Sequence, residues 1–325
     1  MKNQRQKFNQ MIRAAETICV LGHVNPDGDC IGSTLGVYNY IKAIDPSKKV
    51  GVYHDNPSEK FDYLNGFDSI IHDNAVEKSY DLCVICDCAE KGRIPQKYHK
   101  YLDNAKETFL IDHHMTNEGF CENAVIIPDI SSTAEVLFDL IDEELFNVEI
   151  AKCIYTGIIH DTGVFKYNST TERTMQIAGK CMSYGFDFGK IIDDSFFAMN
   201  LLQKKLLGYV LGKIESAADG QIVYAKLTNK EMKEYGITDK KYLDGFIDNI
   251  RTTSGAVCGM FFYQMPDGNY KGSLRSSTDK VNVAAIAKEF KGGGHLRASG
   301  CTVEGNIEEG IAKILAMVED QLRNE

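Results

Sequence analysis

Four stretches of this chain run apolar and then break off into aspartate and histidine, and that recurrence limits the fold more than any other feature. TICVLG (17–22) leads into the loop GHVNPDGDC, YDLCVICD ends at Asp87, and ETFLIDHH ends at Asp112, His113 and His114. The fourth, IYTGIIHDTG, has helical spacing and closes on His160, Asp161, Thr162 and Gly163. Short apolar runs bounded by polar turns read as buried strands. KVGVYHD is a further strand, and CIGSTLGVYNYIKAI (30–44) has helical spacing. Strands alternating with helical segments predict an α/β fold, a mostly parallel sheet flanked by helices. Ligands of such sheets collect beyond the carboxyl ends of the strands, where these polar endings are expected to gather.

At 325 residues, the chain has the length of two domains at about 100–200 residues each. SSTAEVLFDLIDEELF starts a helix, with Ser132 and Glu135 at capping-box spacing. Two more helical stretches follow, and 187–218 stays helical without a turn cluster. Farther on, AVCGMFFYQM, PDGN and YKGSLRSS make a β-hairpin pattern, and VNVAAIAKEF and IEEGIAKILAMVEDQL are helical. The expected organisation is a catalytic domain over 1–190, a helical linker over 191–220 and a smaller α/β domain over 221–325.

A formal net charge of -10 argues against a long basic track for duplex nucleic acid. It leaves an anionic substrate open, because bound metal ions can dominate the local charge. The N-terminus lacks the apolar core of a signal peptide, and no apolar run approaches the ~20 residues of a membrane span, so a soluble cytoplasmic protein is expected. Ten cysteines sit largely in apolar runs and read as reduced, buried thiols. Strand alternation puts Cys83 on the face opposite Cys86 and Cys88, which argues against a redox or metal role for that trio.

The polar endings supply His23, Asp27, Asp29, Asp87, Asp112, His113, His114, His160 and Asp161. Gly28 is expected to let the chain turn tightly between Asp27 and Asp29. Carboxylates with a few imidazoles suit hard or borderline divalent ions such as manganese or magnesium. Singly, each aspartate reads as a helix cap or turn residue, Asp29 as the N-cap of the next helix. Caps and turns leave the accompanying histidines unexplained.

HVNPDGD at 23–29, CD at 86–87, DHH at 112–114 and HDTG at 160–163 resemble the four motifs of the DHH phosphoesterases. LRSS at 274–277 and GGGHLRASG at 292–300 resemble the substrate-binding domain that accompanies many of them, so the likeness covers nearly the whole chain. Length and domain pairing resemble the nano-RNase subgroup, which also removes the 3′-phosphate from 3′-phosphoadenosine 5′-phosphate. The resemblance implies that His23 and Asp27 hold one manganese, that Asp29, His113 and Asp161 hold a second, and that Asp87 bridges them, with magnesium the alternative ion. Asp112 then orients a ligand, His114 faces the substrate phosphate, and His160 supports the site or the fold around it. A metal pair ~3.5–4 Å apart activates water for attack on phosphorus.

In the second domain, Gly292, Gly293 and Gly294 are expected to form a backbone nest for an anion, a mobile solvated loop being the other reading. Arg275, Ser276, Ser277, His295 and Arg297 add donors for phosphate. By resemblance these loops hold the 5′ end or base of a short nucleotide across a cleft from the metals. Phe165, Tyr167, Phe196 and Phe197 are assigned to packing. The implied activity is degradation of very short oligoribonucleotides to mononucleotides and dephosphorylation of 3′-phosphoadenosine 5′-phosphate. Cyclic dinucleotides or their linear products are the alternative substrates. A catalytically silent nucleotide sensor is the non-enzymatic alternative, against which the six intact ligand positions argue. A homodimer is compatible with this reading.

Overall fold

Six strands of the N-terminal unit run side by side in one direction. The computed structural model describes residues 1–72, 79–237 and 239–323, and its chain divides into Met1–Phe197 and Ala198–Glu325. The first unit contains β1 (Thr17–Leu21), β2 (Lys49–Tyr53), β3 (Ile70–Ile71), β4 (Leu82–Cys86), β5 (Glu107–Asp112) and β6 (Asn123–Ile126). Their order is β3-β2-β1-β4-β5-β6, and every neighbouring pair is parallel. The chain moves outward from β1 in one direction, then returns to continue from β4 in the other. This reversal opens a crevice beyond the carboxyl ends of β1 and β4.

Helices α1 (Lys2–Ala14), α2 (Gly28–Ile44), α3 (His99–Asp103), α4 (Thr133–Leu140), α5 (Val148–Asp161), α6 (Glu172–Met182) and α7 (Phe188–Ile192) complete this unit. All five residues of β4 are buried, as a strand covered on both faces requires. On one face Ile18, Val20, Val84 and Ile111 pack with Ile31, Leu137 and Ile158 of the helices. On the other, Cys19, Leu21, Ile85 and Leu110 pack with Tyr53, Tyr98 and Tyr101.

The stretch 191–220 is not one continuous helix. A π-helical turn at Asp193–Phe197 closes the first unit, and α8 (Leu201–Leu211) inserts Leu206 and Val210 into the core of the second. That unit holds β7 (Glu215–Ala217), β8 (Ile222–Leu227), β9 (Cys258–Gln264), β10 (Tyr270–Ser276), β11 (Gly293–His295) and β12 (Ala298–Val303). Their order is β11-β12-β10-β9-β8-β7, antiparallel except for the β8–β9 pair. The expected hairpin is β9–β10. Helices α9 (Asn229–Glu234), α10 (Phe246–Arg251), α11 (Val283–Glu289) and α12 (Ile307–Arg323) flank the sheet.

One face of this sheet buries Met260, Phe262, Leu274 and Cys301 against Ile311, Ile314 and Val318 of α12. The opposite face buries Val223, Ala225 and Phe261 against Leu206, Val210, Phe246 and Ile250. None of the described β10, β11 or β12 residues joins that second cluster. Among the described residues, no helix is long and apolar enough to cross a membrane.

Candidate metal centre

The loop after β1 places His23 almost fully buried at the crevice. Its Nδ1 lies 2.8 Å from the Val24 carbonyl, which can only accept, so Nδ1 carries the proton and Nε2 is left as a ligand atom. That Nε2 is 3.4 Å from Asp87 Oδ2 and 3.8 Å from Asp27 Oδ2. The N-cap of α2 is Asp27 rather than Asp29: Asp27 Oδ1 accepts the N–H groups of Asp29 and Cys30, each at 3.1 Å. Asp29, fully buried inside the first turn of α2, reaches instead to the start of α4. It accepts the Thr133 N–H at 2.7 Å and the Ala134 N–H at 2.9 Å. Gly28 makes no special turn. It is the first residue of α2, and a Cβ there would fall 2.1 Å from the His160 ring, so close approach is what demands glycine.

Asp87 follows β4 with φ of +56°, a left-handed conformation that costs a non-glycine residue about 1–3 kcal/mol. The reversal sets its carboxylate between two histidines. Oδ2 is 3.4 Å from His23 Nε2, while Oδ1 is 3.7 Å from His113 Nε2 and accepts the Thr133 hydroxyl at 3.0 Å. The same reversal ends strand alternation, so Cys88 packs with Cys83 and not with Cys86, contrary to the expectation from spacing.

His113 repeats the logic of His23. Its Nδ1 lies 3.2 Å from the Ile130 carbonyl, and its Nε2 is 3.1 Å from Asp161 Oδ2 and 4.0 Å from Asp29 Oδ2. Asp161 is the last residue of α5, and Gly163, Val164 and Phe165 after it all have positive φ. His114 turns its Nδ1 to Asp112 Oδ1 at 2.8 Å, leaving Nε2 free on a side chain 41% exposed. Asp112 is fixed in turn by the Asn117 side-chain amide at 2.6 Å.

Like charge makes this cluster a poor neighbourhood for bare carboxylates. Burial pushes the Asp29 carboxyl well above its usual range, and Asp87 and Asp161 push the same way. Burial and then Asp87 also raise Asp161, against the pull of His113. Burial opposes a charge on His113, but Asp161 and Asp29 outweigh it and lift the imidazole to about 10. At His23 burial is likewise overcome by Asp27 and Asp87, which raise its pKa. Cations would relieve this repulsion, and the donor set fits them: carboxylate oxygens plus two Nε2 atoms whose rings are already oriented. Ligand atoms of Asp29, His113 and Asp161 come within 4.8 Å of one another, and so do those of Asp87, His113 and His114.

Cys30 was not anticipated at this site. Its Sγ accepts the His23 N–H at 3.3 Å and groups with His23 and Asp87. Burial pushes its thiol up to about 12, so it stays protonated and steadies the His23 backbone. All ten cysteines are free. Thr133 and Asn117 were also missed, although SSTAE and DHHMTN stand beside the motifs. The expected capping box is half formed. Ser132 accepts the Glu135 N–H, but the buried Glu135 carboxylate binds Ser131, Thr174 and Arg173. His160 packs its ring between Phe61 and Phe196, at centroid distances of 5.1 and 4.6 Å. Phe165 and Phe196 join the core as expected, whereas Tyr167 and Phe197 are 54% and 57% exposed.

In the second unit the glycine run leads into the edge strand β11, which begins at Gly293, so it is not an unstructured loop. A Cβ at Gly292 would lie 2.1 Å from the Gly300 carbonyl oxygen, and one at Gly294 would lie 2.6 Å from that of Ala298, while Gly293 faces open space. Ser276 and Ser277 donate their hydroxyls to the carbonyls of Thr278 and Val257, and Arg297 is paired with Asp279 at 2.8 Å. Among the described residues Arg275 bonds only the Leu274 carbonyl, and His295 is exposed.

The chain matches the family model described as "DHH family, N-terminal domain" over residues 17–158 and the "DHHA1 domain" over 219–324. It is 30% identical to the "Bifunctional oligoribonuclease and PAP phosphatase NrnA" of Thermus thermophilus, over 96% of this chain and 93% of that one. Identity to the Bacillus subtilis protein of the same description is 28%, over 89% and 90% of the two chains. The "Cyclic-di-AMP phosphodiesterase PdeA" of Listeria monocytogenes is 27% identical over 90% of this chain but only 45% of its own length. A solved structure from Bacteroides fragilis, described as an exopolyphosphatase-related protein, superposes with a TM-score of 0.84 at 28% identity, covering 98% and 96% of the two chains.

Proposed function

The chain belongs to the DHH family, and from that premise we propose a manganese-dependent phosphoesterase that degrades very short oligoribonucleotides to mononucleotides and dephosphorylates 3′-phosphoadenosine 5′-phosphate. The observation that carries the reading is Asp87, whose two carboxylate oxygens face His23 on one side and His113 on the other. In this reading His23 and Asp27 hold one divalent ion, Asp29, His113 and Asp161 hold another, and Asp87 joins both. The ions supply Lewis acidity and activate water when bound.

The protein's own residues do the rest. Carbonyl groups of Val24 and Ile130 lock both ligand histidines with Nε2 outward. Asp112, itself held by Asn117, aims His114 so that its Nε2 meets a phosphate oxygen. Arg275 and His295 of the second unit grip the nucleotide. Mixed imidazole and carboxylate ligands suit manganese. Ten free thiols suit a reducing cytoplasm. Similarity to the NrnA proteins over nearly the full chain supports the linear-substrate reading. The Listeria relative, matched over less than half its length, lends the cyclic-dinucleotide alternative less.

The test is a panel under saturating manganese: a 5′-labelled dinucleotide, 3′-phosphoadenosine 5′-phosphate, a cyclic dinucleotide and pyrophosphate. Mononucleotides from the linear dinucleotide are expected. No turnover of it at full metal occupancy sinks the proposal, and faster cleavage of the cyclic substrate transfers it to the alternative.

A further inference from the structure

Residues Lys271, Ser273 and Arg275 alternate along β10 and share one face of the second sheet. The register sets Lys271 opposite Thr302, Ser273 opposite Gly300 and Arg275 opposite Ala298 on β12. On the edge strand β11, Gly293 lies beside Gly300 and His295 beside Ala298. Arg275, Ala298 and His295 therefore form one row across the sheet. This is the part of the face that the helices over β8 and β9 leave without an apolar cluster. No acidic residue is among the eight positions.

Lys271 is the anomaly there. It is partly buried, yet forms no hydrogen bond or ion pair among the described residues. Its Nζ lies 3.9 Å from where a Cβ on Gly300 would stand, over the open floor of the sheet. Among the described residues Arg275 likewise has no carboxylate partner and bonds only a backbone carbonyl. Exposed lysines of this unit such as Lys204, Lys288 and Lys313 also lack a partner among the described residues, but its other described lysines that are partly buried, Lys213 and Lys226, are paired with carboxylates. Cations without a carboxylate partner at positions that hold no acid call for an anion with more than one charged group. Four residues of strand separate Lys271 from Arg275 by about 14 Å, several times the ~3.4 Å axial rise per nucleotide of a stacked strand.

We propose that this face is a track for the sugar–phosphate backbone of a short single strand, on which Lys271 holds a phosphate at least one nucleotide away from the phosphate held at Arg275 and His295. The inference rests on the oligoribonucleotide reading above. It makes Lys271 a residue that reads substrate length.

The experiment compares kcat/KM on a dinucleotide and a pentanucleotide for the full-length protein and for Lys271→Ala, Lys271→Arg and Arg275→Ala. The pentanucleotide-to-dinucleotide ratio falls about tenfold in Lys271→Ala, as for loss of one charge-assisted contact. It is restored in Lys271→Arg and kept in Arg275→Ala, where both substrates suffer together. An unchanged ratio in Lys271→Ala overturns the proposal. Fluorescence anisotropy with 5′-labelled dinucleotide and pentanucleotide in EDTA reads the same preference without catalysis. If the wild-type protein cleaves no oligoribonucleotide, the earlier reading fails, and this binding ratio still decides whether the track exists.

Discussion

The two sheets present chemistry in opposite ways. The first is wholly parallel, both faces are covered by apolar clusters, and its functional groups stand at the strand ends, converging from segments as distant in sequence as His23 and Asp161. The second is mostly antiparallel, and it leaves part of one face open, where cations are spread along β10 and its neighbours. A covered parallel sheet can offer a ligand only its rim, which favours a tight, focused cluster. A half-open antiparallel sheet offers an area, which favours a long, repetitive ligand. The first geometry suits a reacting atom and the second suits the molecule that carries it.

If this contrast is right, damage at the rim should be steep and damage on the face shallow. Asp87→Asn removes a charge that both histidines face, and activity should fall by about 10³-fold or more, consistent with several kcal/mol of lost charge stabilisation. Isothermal titration with manganese checks that the loss comes from metal binding, while an unchanged circular dichroism spectrum shows the fold intact. Retained activity would break the rim side of the comparison. Thr133→Val deletes the hydroxyl that Asp87 accepts but keeps the N–H bound by Asp29. A support of this kind is worth about 10–100-fold in metal affinity or rate, so a metal titration of activity should shift by that amount. Arg275→Ala should raise KM for a dinucleotide about tenfold with a smaller change in kcat, as for one lost charge-assisted contact. An equal loss in kcat would place Arg275 among the reacting groups and erase the distinction between units. Gly292→Ala tests packing alone: its methyl collides with the Gly300 carbonyl, and urea denaturation should record a loss of about 1–3 kcal/mol.

The rim was readable in the sequence because each candidate ligand stands at the end or start of a strand or helix whose apolar pattern is clear. Knowing that β1, β4 and β5 end at the same edge is enough to bring His23, Asp87 and His113 together. Thr133 was not readable, since its N–H and hydroxyl bond carboxylates 104 and 46 residues away, and Asn117, although only five residues from Asp112, has a side chain that could equally serve a turn. Cys88 was assigned to the wrong face because one left-handed residue, Asp87, interrupts the alternation on which the reading relied. On the second unit the hairpin was evident from PDGN. The glycine run suggested a nest, but Gly292, just before β11, and Gly294 within it are needed for close passage beside β12. Lys271 gave no signal at all: what sets it apart is the absence of a partner, and partners are a property of the folded state.

The strand order β3-β2-β1-β4-β5-β6 also has a kinetic meaning. Its central pair, β1 and β4, joins residues more than sixty positions apart, and each parallel pairing must close a long loop before any contact rewards it. His23 and Asp87 meet only once that pair has zipped. The candidate metal centre therefore requires the middle of the sheet, and helices alone do not assemble it. Ions that bind the finished centre and not the unfolded chain will deepen the native basin, by about 2.7 kcal/mol at a hundredfold excess over Kd for one site. For this molecule, the capacity to bind metal and the completion of its topology would then be the same event seen from two sides.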